Sequence, residues 1–177
     1  MSDFQGTTIC AVKKDGVTAI AGDGQVTMGE RIVFKGNAKK VQRIFSNKVV
    51  IGFAGTVSDA FALSEKFEEM LQKYSGNLVR AAVELADLWR KDNARRLDAM
   101  LIAADKDNLL VISGTGEVIE PETGVCAIGS GGSYALSAAR ALYEHTDMSA
   151  EEIVVNAMKI ASDICVYTNS NLTIELV

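Results

Sequence analysis

The chain has 177 residues and a formal net charge of −5, with 48% hydrophobic and only 6% aromatic residues. This length favours one domain whose core is packed mainly by small aliphatic side chains, and the acidic balance argues against a nucleic-acid-binding surface. No apolar stretch approaches the ~18 residues that a membrane span needs. The three cysteines are scattered through apolar segments, so we expect buried thiols in a reducing cytoplasm rather than a disulfide framework.

The first six residues, MSDFQG, precede a strand-like run that starts with two threonines, Thr7 and Thr8. They have neither the basic start nor the apolar core of a secretory signal. Ser2 follows the methionine, where myristoylation would need glycine. These residues alone leave three interpretations open: a tag, a frayed terminus, or a leader that is removed by cleavage.

The first half of the chain predicts a hairpin and a pair of helices. Strands at residues 7–13 and 17–21 are joined by an Asp-Gly turn, and a Gly-Asp-Gly break follows at residues 22–24. A buried strand at 48–54 leads into a helix that begins at Thr56, with Asp59 as a rough capping partner. A second helix is predicted over residues 78–96 from its apolar periodicity.

The second half predicts further strands and another helix pair. Strands are expected at residues 99–104, 108–113, 118–120 and 125–128, and the glycine-rich GSGGS follows at 129–133. One helix covers 133–145, a second runs from a capping box at 149–152 to about residue 167, and a last strand spans 171–177. Such grouped strands and paired helices disfavour a doubly wound parallel sheet. They favour one domain in which two sheets pack face to face with helices outside.

Conventional catalytic groups are scarce in this sequence. The one histidine, His145, is more typical of a surface or capping residue than of a Ser-His-Asp triad. No Cys/His set has zinc-ligand spacing, and GSGGS lacks the lysine of a phosphate-binding loop. What remains is an N-terminal nucleophile. Cleavage after Gly6 would give Thr7 a free amine of pKa ~7.7–8.0, which can accept the proton of the threonine's own hydroxyl.

Six motifs together resemble the HslV peptidases, which are bacterial relatives of proteasome β-subunits. They are TTI at 7–9, AGDGQ at 21–25, GNAKKV at 36–41, GFAG at 52–55, AIGSGG at 127–132 and DICVYTN at 163–169. The resemblance implies an α+β fold, the four-layer αββα sandwich of the N-terminal nucleophile hydrolases. It also implies a threonine endopeptidase in a double hexameric ring, the proteolytic core of an ATP-dependent protease. The hexameric AAA+ unfoldase HslU would use the ATP and deliver unfolded polypeptides.

The resemblance further implies roles for single residues. Thr7 matches the nucleophile, and Lys40 matches a buried lysine whose charge lowers the pKa of the threonine hydroxyl and amine. Asp23 matches the carboxylate that pairs with this lysine, and Gly55 matches the backbone N–H donor to the oxyanion. The outer polar residues that orient the amine end match Ser130 and Asp163. The joint presence of Thr7, Asp23, Lys40 and Gly55 favours an enzyme over a non-catalytic ring subunit or binding module.

Two further points follow from the resemblance. Family members hold a sodium ion on main-chain carbonyls, and those positions fall at Ser162, Cys165 and Thr168, with serine in place of the more usual glycine. Many members also begin with threonine directly after the initiator methionine. Here, removal of the methionine would expose Ser2 as a rival N-terminal nucleophile. Ser2 would reach the site beside Lys40 only if the leader folds back into it, and this alternative stays open.

Overall fold

The fold is taken from a computed structural model, which describes residues 4–6, 8–29, 31–91 and 99–177. Thr7 and Ser2, the two rival nucleophiles, lie outside the described residues. The strands are β1 (Phe4–Gly6), β2 (Thr8–Lys14), β3 (Val17–Asp23), β4 (Val26–Met28), β5 (Ile32–Lys35), β6 (Val41–Ile44), β7 (Val49–Thr56), β8 (Ala99–Ala104), β9 (Leu109–Ser113), β10 (Val118–Ile119), β11 (Val125–Gly129) and β12 (Leu172–Leu176). The helices are α1 (Val57–Lys73), α2 (Leu78–Lys91), α3 (Gly132–His145) and α4 (Ala150–Ile164).

The strands form two antiparallel sheets. Across the larger sheet the order is β10-β9-β8-β7-β1-β4-β5, and β6 also pairs with β7. The smaller sheet has the order β11-β2-β3-β12. All pairings between the described strands are antiparallel. The predicted absence of a doubly wound parallel sheet is therefore confirmed.

Three apolar clusters define the layers. Phe67 of α1 and Ile51 of β7 belong to a cluster between the helix pair α1–α2 and the larger sheet. Ile153 of α4 belongs to a second cluster, between the smaller sheet and the pair α3–α4. Ile9 and Ile102 belong to a third cluster, which lies between the two sheets. The layer order is thus helix, sheet, sheet, helix, and the predicted αββα sandwich is confirmed.

The predicted first hairpin is confirmed, but its second strand is longer than predicted. β2 and β3 pair along their length, and the turn residues Asp15 and Gly16 have φ of 52° and 79°, as the tight turn of a two-residue hairpin requires. The predicted break at residues 22–24 is wrong, because β3 continues through Asp23. Gly22 is a packing residue there, since a Cβ would lie 2.6 Å from Cδ1 of Ile9.

The four predicted helices form, with changes at their ends. The capping box between Ser149 and Glu152 is confirmed, although α4 ends three residues before its predicted end. Thr56 precedes α1 as its N-cap but makes no side-chain capping hydrogen bond, so that part of the predicted capping pair is wrong. For α2, the predicted residues 92–96 lie outside the described residues. Among the described helices, none has the length and apolar character needed to cross a membrane.

Four short strands have no counterpart in the sequence patterns, namely β1, β4, β5 and β6. Each has only three or four residues, which is too short for an alternating pattern to stand out. Three of them, β1, β4 and β5, form one end of the larger sheet. The sequence patterns therefore miss that end of the sheet, which holds the site described next.

Candidate active site

A buried ion pair lies at the centre of the site. Nζ of Lys40 donates a hydrogen bond of 2.7 Å to Oδ1 of Asp23, and the two side chains are 2% and 0% exposed. Asp23 is the last residue of β3, and Lys40 lies directly before β6. The structure thus brings together the end of a strand of the smaller sheet and the residue before a strand of the larger sheet, and the sequence motifs predict these two residues to be partners.

The Asp23 carboxylate also holds the surrounding backbone. Its Oδ1 accepts a hydrogen bond from the N–H of Thr8 at 3.0 Å. Its Oδ2 accepts from the N–H groups of Gln25 at 2.9 Å and Asn169 at 3.3 Å. One carboxylate therefore joins the start of β2, the end of β3 and the segment that follows α4. These contacts fix the carboxylate's orientation toward Lys40.

The charge of Lys40 depends on Asp23. Burial lowers the pKa of Lys40 from its ordinary value, while the charge of Asp23 and its hydrogen bond act in the opposite direction. Desolvation disfavours an isolated ammonium group in such a place, and a buried charge is tolerated when it is paired and hydrogen-bonded. Without Asp23 this position would favour a neutral lysine.

Thr8 is a positioning residue that the sequence motifs do not single out. Its hydroxyl shares a 2.7 Å hydrogen bond with the hydroxyl of Thr168 and accepts a 3.0 Å bond from the N–H of Gly131. A Cβ at Gly131 would lie 2.5 Å from the Thr168 hydroxyl and 2.7 Å from that of Thr8. Glycine is therefore needed for this approach, and the GSGGS turn holds the residue that follows Thr7. A polar side chain directly before the apolar run of β2 is the signal that could have revealed Thr8.

Gly55 lies at the end of β7, just before α1 begins. Its φ of 124° is in a region that favours glycine. Gly55 borders a pocket of about 520 Å³. Lys40 also lines this pocket, so the buried cation and the predicted oxyanion donor share one cavity. The apolar lining residues are Val26, Phe34, Ala38, Phe53, Val57 and Phe61.

The strand before Thr7 pairs with two strands that each contribute a lining residue to this cavity. β1 lies between β4 and β7 and is antiparallel to both. Its last residue, Gly6, is in register with Val26 on one side and Gly55 on the other. Directly paired residues project from the same face of a sheet, so position 6 lies on the pocket side. Because residue 6 is a glycine, it brings no side chain to the pocket.

The remaining predicted residues lie outside this centre or at its border. Ser130 is exposed in the turn between β11 and α3, and Asp163 is exposed in the last turn of α4. Their predicted role in orienting the amine stays a prediction. His145 is exposed at the end of α3, so its predicted place on the surface is confirmed. Cys10, Cys126 and Cys165 are free and buried, as predicted, and burial raises the pKa of the Cys10 thiol to about 12.

The predicted sodium positions surround the carboxyl end of α4. Ser162 lies in its last turn, Cys165 is its C-cap, and the Thr168 N–H donates to the Cys165 carbonyl at 3.0 Å. Carbonyl oxygens at a helix C-terminus carry partial negative charge, which is the polarity that a cation needs, and the sodium site itself stays a prediction. The described residues contain no cluster of His, Cys, Asp and Glu that could hold a metal ion.

Comparisons with known proteins cover nearly the whole chain. The model of a family described as proteasome subunit matches residues 3–177. The ATP-dependent protease subunit HslV of Enterococcus faecalis is 60% identical over 177 residues, which cover 98% of this chain and 97% of that protein. The subunit of the same description from Listeria innocua is 59% identical over 176 residues, or 98% of each chain.

Solved structures agree with these sequence comparisons. Eukaryotic HslV from Trypanosoma brucei superposes with a TM-score of 0.91 at 49% identity, over 96% of this chain and 98% of that one. The BPH protein of Thiobacillus denitrificans, in complex with epoxomicin, has a TM-score of 0.73 at 19% identity, over 97% and 98% of the two chains. The second likeness extends to the fold alone.

Proposed function

The chain belongs to the proteasome subunit family, and from this membership we propose that Thr7 is its nucleophile once the Gly6–Thr7 bond is cut. The protein is a threonine-type endopeptidase, the proteolytic subunit of an ATP-dependent protease of the HslUV type. The observation that carries the proposal for Thr7 is the placement of its neighbours. Strand β1 ends at Gly6, which is paired with Gly55, and the N–H of Thr8 donates a hydrogen bond to Asp23.

The chemistry follows from these groups. The free amine of Thr7 accepts the proton of its own hydroxyl, directly or through one water, and the hydroxyl oxygen attacks the substrate carbonyl. The cation of Lys40 lowers the pKa of the hydroxyl and of the amine. The N–H of Gly55 donates to the oxyanion that develops on the attacked carbonyl. The amine then protonates the leaving nitrogen, and water hydrolyses the acyl-enzyme.

The groove around β1 supports an extended substrate. Removal of the leader would free the facing edges of β4 and β7, which now both bond to β1. A peptide that enters as a strand would take up these backbone hydrogen bonds. The residue before its cleaved bond would then lie where Gly6 lies, facing the apolar pocket. We therefore expect cleavage after apolar residues, whose side chains fill a space that the leader's glycine leaves open.

The same geometry supports removal of the leader, residues 1–6, by cleavage at Gly6–Thr7. The leader approaches Gly55 with its carboxyl end, as the acyl side of a substrate would. Phe4, the described residue nearest to Ser2 in sequence, is in register with Met28, at the end of β1 away from Gly55. The amino end of β1 thus lies away from Gly55 and its carboxyl end lies beside it, and this direction supports Thr7 over Ser2.

Assembly and partners extend this proposal. A double hexameric ring would hide the nucleophile from other proteins, and a HslU-type hexameric ATPase would deliver unfolded polypeptides. A structural sodium ion on the carbonyls of Ser162, Cys165 and Thr168 would steady the segment that carries Thr168. Three free, buried cysteines support a cytoplasmic location, because disulfides are rare in that compartment.

The decisive experiment compares Thr7→Ala with Ser2→Ala. Thr7→Ala should abolish peptide hydrolysis, because the nucleophile supplies several kcal/mol of transition-state stabilisation. Ser2→Ala should leave the rate near wild type once the leader is removed. The intact mass of the untagged protein should show a chain that begins at Thr7. An active Thr7→Ala with an inactive Ser2→Ala would instead assign catalysis to the leader's own terminus.

The assembly is tested separately. Sedimentation at micromolar concentration should show a ring rather than the 18.9 kDa subunit alone. Hydrolysis of a small apolar reporter should be slow for the isolated ring and much faster with the ATPase and ATP. Equal rates with and without the ATPase would contradict the proposed partnership but not the nucleophile.

A further inference from the structure

A buried hydroxyl beside the groove has no explained role. Oγ1 of Thr56 is buried and has no hydrogen-bond partner among the described residues, and the whole residue is 7% exposed. Thr56 occupies the N-cap position of α1, where a threonine hydroxyl ordinarily accepts a backbone N–H, but it makes no such bond. A buried hydroxyl without a partner costs about 1–3 kcal/mol. Among the described residues the hydroxyl is unbonded while β1 lies beside Thr56, so the leader does not relieve this cost. A different occupant of the groove, a substrate, would relieve it by supplying a partner.

The strand register shows which residue of the occupant lies nearest. Gln5 is in register with Thr56 on β7 and with Thr27 on β4. Both threonines are buried, and directly paired residues share one face of a sheet. Their neighbours Val26 and Gly55 line the pocket, whereas neither threonine does. The groove therefore has two faces: one carries the apolar pocket, and the other carries two threonines.

These faces alternate along an extended occupant. The residue directly before the cleaved bond, position −1, takes the place of Gly6 and faces the pocket. The residue before it, position −2, takes the place of Gln5 and lies between Thr56 and Thr27. We propose that Thr56 makes the protease prefer substrates with a short hydrogen-bonding side chain at position −2, namely Ser, Thr or Asn. The leader has the longer glutamine at this position, and with the leader in place the Thr56 hydroxyl stays unbonded among the described residues.

This inference rests on the proposed function, because the cleavage point at Gly6–Thr7 sets the numbering of the substrate. A competing explanation is that Thr56 serves only α1. Rotation of its side chain would place the hydroxyl over the first N–H groups of the helix. In that case its removal would lower stability and would not depend on the substrate.

The test is a cycle of isosteric changes in enzyme and substrate. Two reporter peptides differ only at position −2, with threonine or valine, and share leucine at position −1. The processed wild-type protein and Thr56→Val are compared by kcat/KM on both peptides under identical assembly conditions. The wild type should prefer the threonine peptide by about two- to tenfold, as expected for one buried hydrogen bond. Thr56→Val should lose this preference.

Control variants protect the test from folding defects. Thr56→Ser keeps the hydroxyl and should keep the preference, and Thr56→Ala removes it by a second route and should lose the preference. Melting temperatures accompany each measurement. An equal preference in wild type, Thr56→Val and Thr56→Ala would overturn the proposal, as would a uniform drop on both peptides together with a lower melting temperature. If Thr7 were not the nucleophile, hydrolysis would persist in Thr7→Ala, and that failure would be separate from any effect of Thr56.

Discussion

The two sheets of the sandwich differ in how completely they are packed. In the smaller sheet, β2 and β3 are buried along most of their length beneath α3 and α4. At the β4–β5 end of the larger sheet, three consecutive apolar residues are more than half exposed: Ile32, Val33 and Phe34. The pocket and the unpartnered Thr56 hydroxyl lie toward this same end. The smaller, well-packed sheet thus supplies rigidity, while the incompletely packed end of the larger sheet supplies the space for a substrate.

The site lies where these two regions meet. Asp23 belongs to the smaller sheet and Gly55 to the larger one, while Lys40 lies directly before β6 of the larger sheet. Rigid support on one side lets the groups on the other side keep their positions when the groove fills, and such preorganisation favours catalysis. Each prediction below tests this division by changing one region and measuring stability, activity or both.

The largest effect is expected for Asp23→Asn, which leaves the buried ammonium of Lys40 without its partner. Removing one member of a buried pair typically costs about 3–5 kcal/mol of folding stability. Activity should fall as well, because the pKa of Lys40 decreases further and the cation is lost from the site. Denaturant unfolding and kcat/KM on an apolar reporter measure the two effects. Glu84→Gln, which breaks the partly exposed pair of Arg80 and Glu84, is the matched control and should change stability by less than about 1 kcal/mol.

The pH dependence of this variant has a definite sign. Burial lowers the pKa of Lys40 in the folded state, so between that pKa and the ordinary value of 10.5 the unfolded chain binds more protons. Stability therefore increases with pH across this window, and the window is wider in Asp23→Asn. The stability gap between wild type and variant should shrink as the pH is raised toward 10.5. A gap that widens in alkali would contradict the buried-cation explanation.

The sequence predicts the two regions unequally, for physical reasons. The smaller sheet and its helices consist of long periodic elements with local turn and capping signals. Examples are the turn at Asp15-Gly16 and the capping box of Ser149 with Glu152, and both form as predicted. Asp23, Lys40 and Gly55 are found through motifs, although local patterns assign Asp23 to a turn. The pairing of Gly6 with Gly55 joins residues far apart in the chain, and three-residue strands have no period. Thr56 shows the limit most clearly, since its local sequence predicts a helix cap and the structure leaves its hydroxyl unbonded.

An intermediate effect is expected from narrowing the pocket. Ala38 is half-buried and lines it, so Ala38→Leu would occupy space needed by a substrate's apolar side chain. The kcat/KM for a reporter with leucine at position −1 should fall about tenfold or more, since a few methylene groups decide fit in apolar pockets. A reporter with alanine at that position should be affected much less. Val33→Leu, an enlargement of an exposed β5 residue that does not line the pocket, should affect neither. Equal losses on both reporters would show that the pocket does not receive this side chain.

The smallest effect on stability is expected at the start of α4, which packs against the smaller sheet. The Ser149 hydroxyl accepts the N–H of Glu152, and the Glu152 carboxylate accepts the N–H of Ser149 at 2.8 Å. Ser149→Ala removes the first bond and should cost about 1 kcal/mol of stability, measured by thermal melting. Ser137→Ala changes an exposed residue inside α3, and its free energy of unfolding should stay within about 0.5 kcal/mol of wild type. Both variants should keep wild-type kcat/KM below their melting temperatures, because fraying at the first turn of α4 is a whole helix away from Thr168. A selective loss of activity in Ser149→Ala would mean that the smaller sheet and its helices take part in substrate turnover instead of only supporting the site.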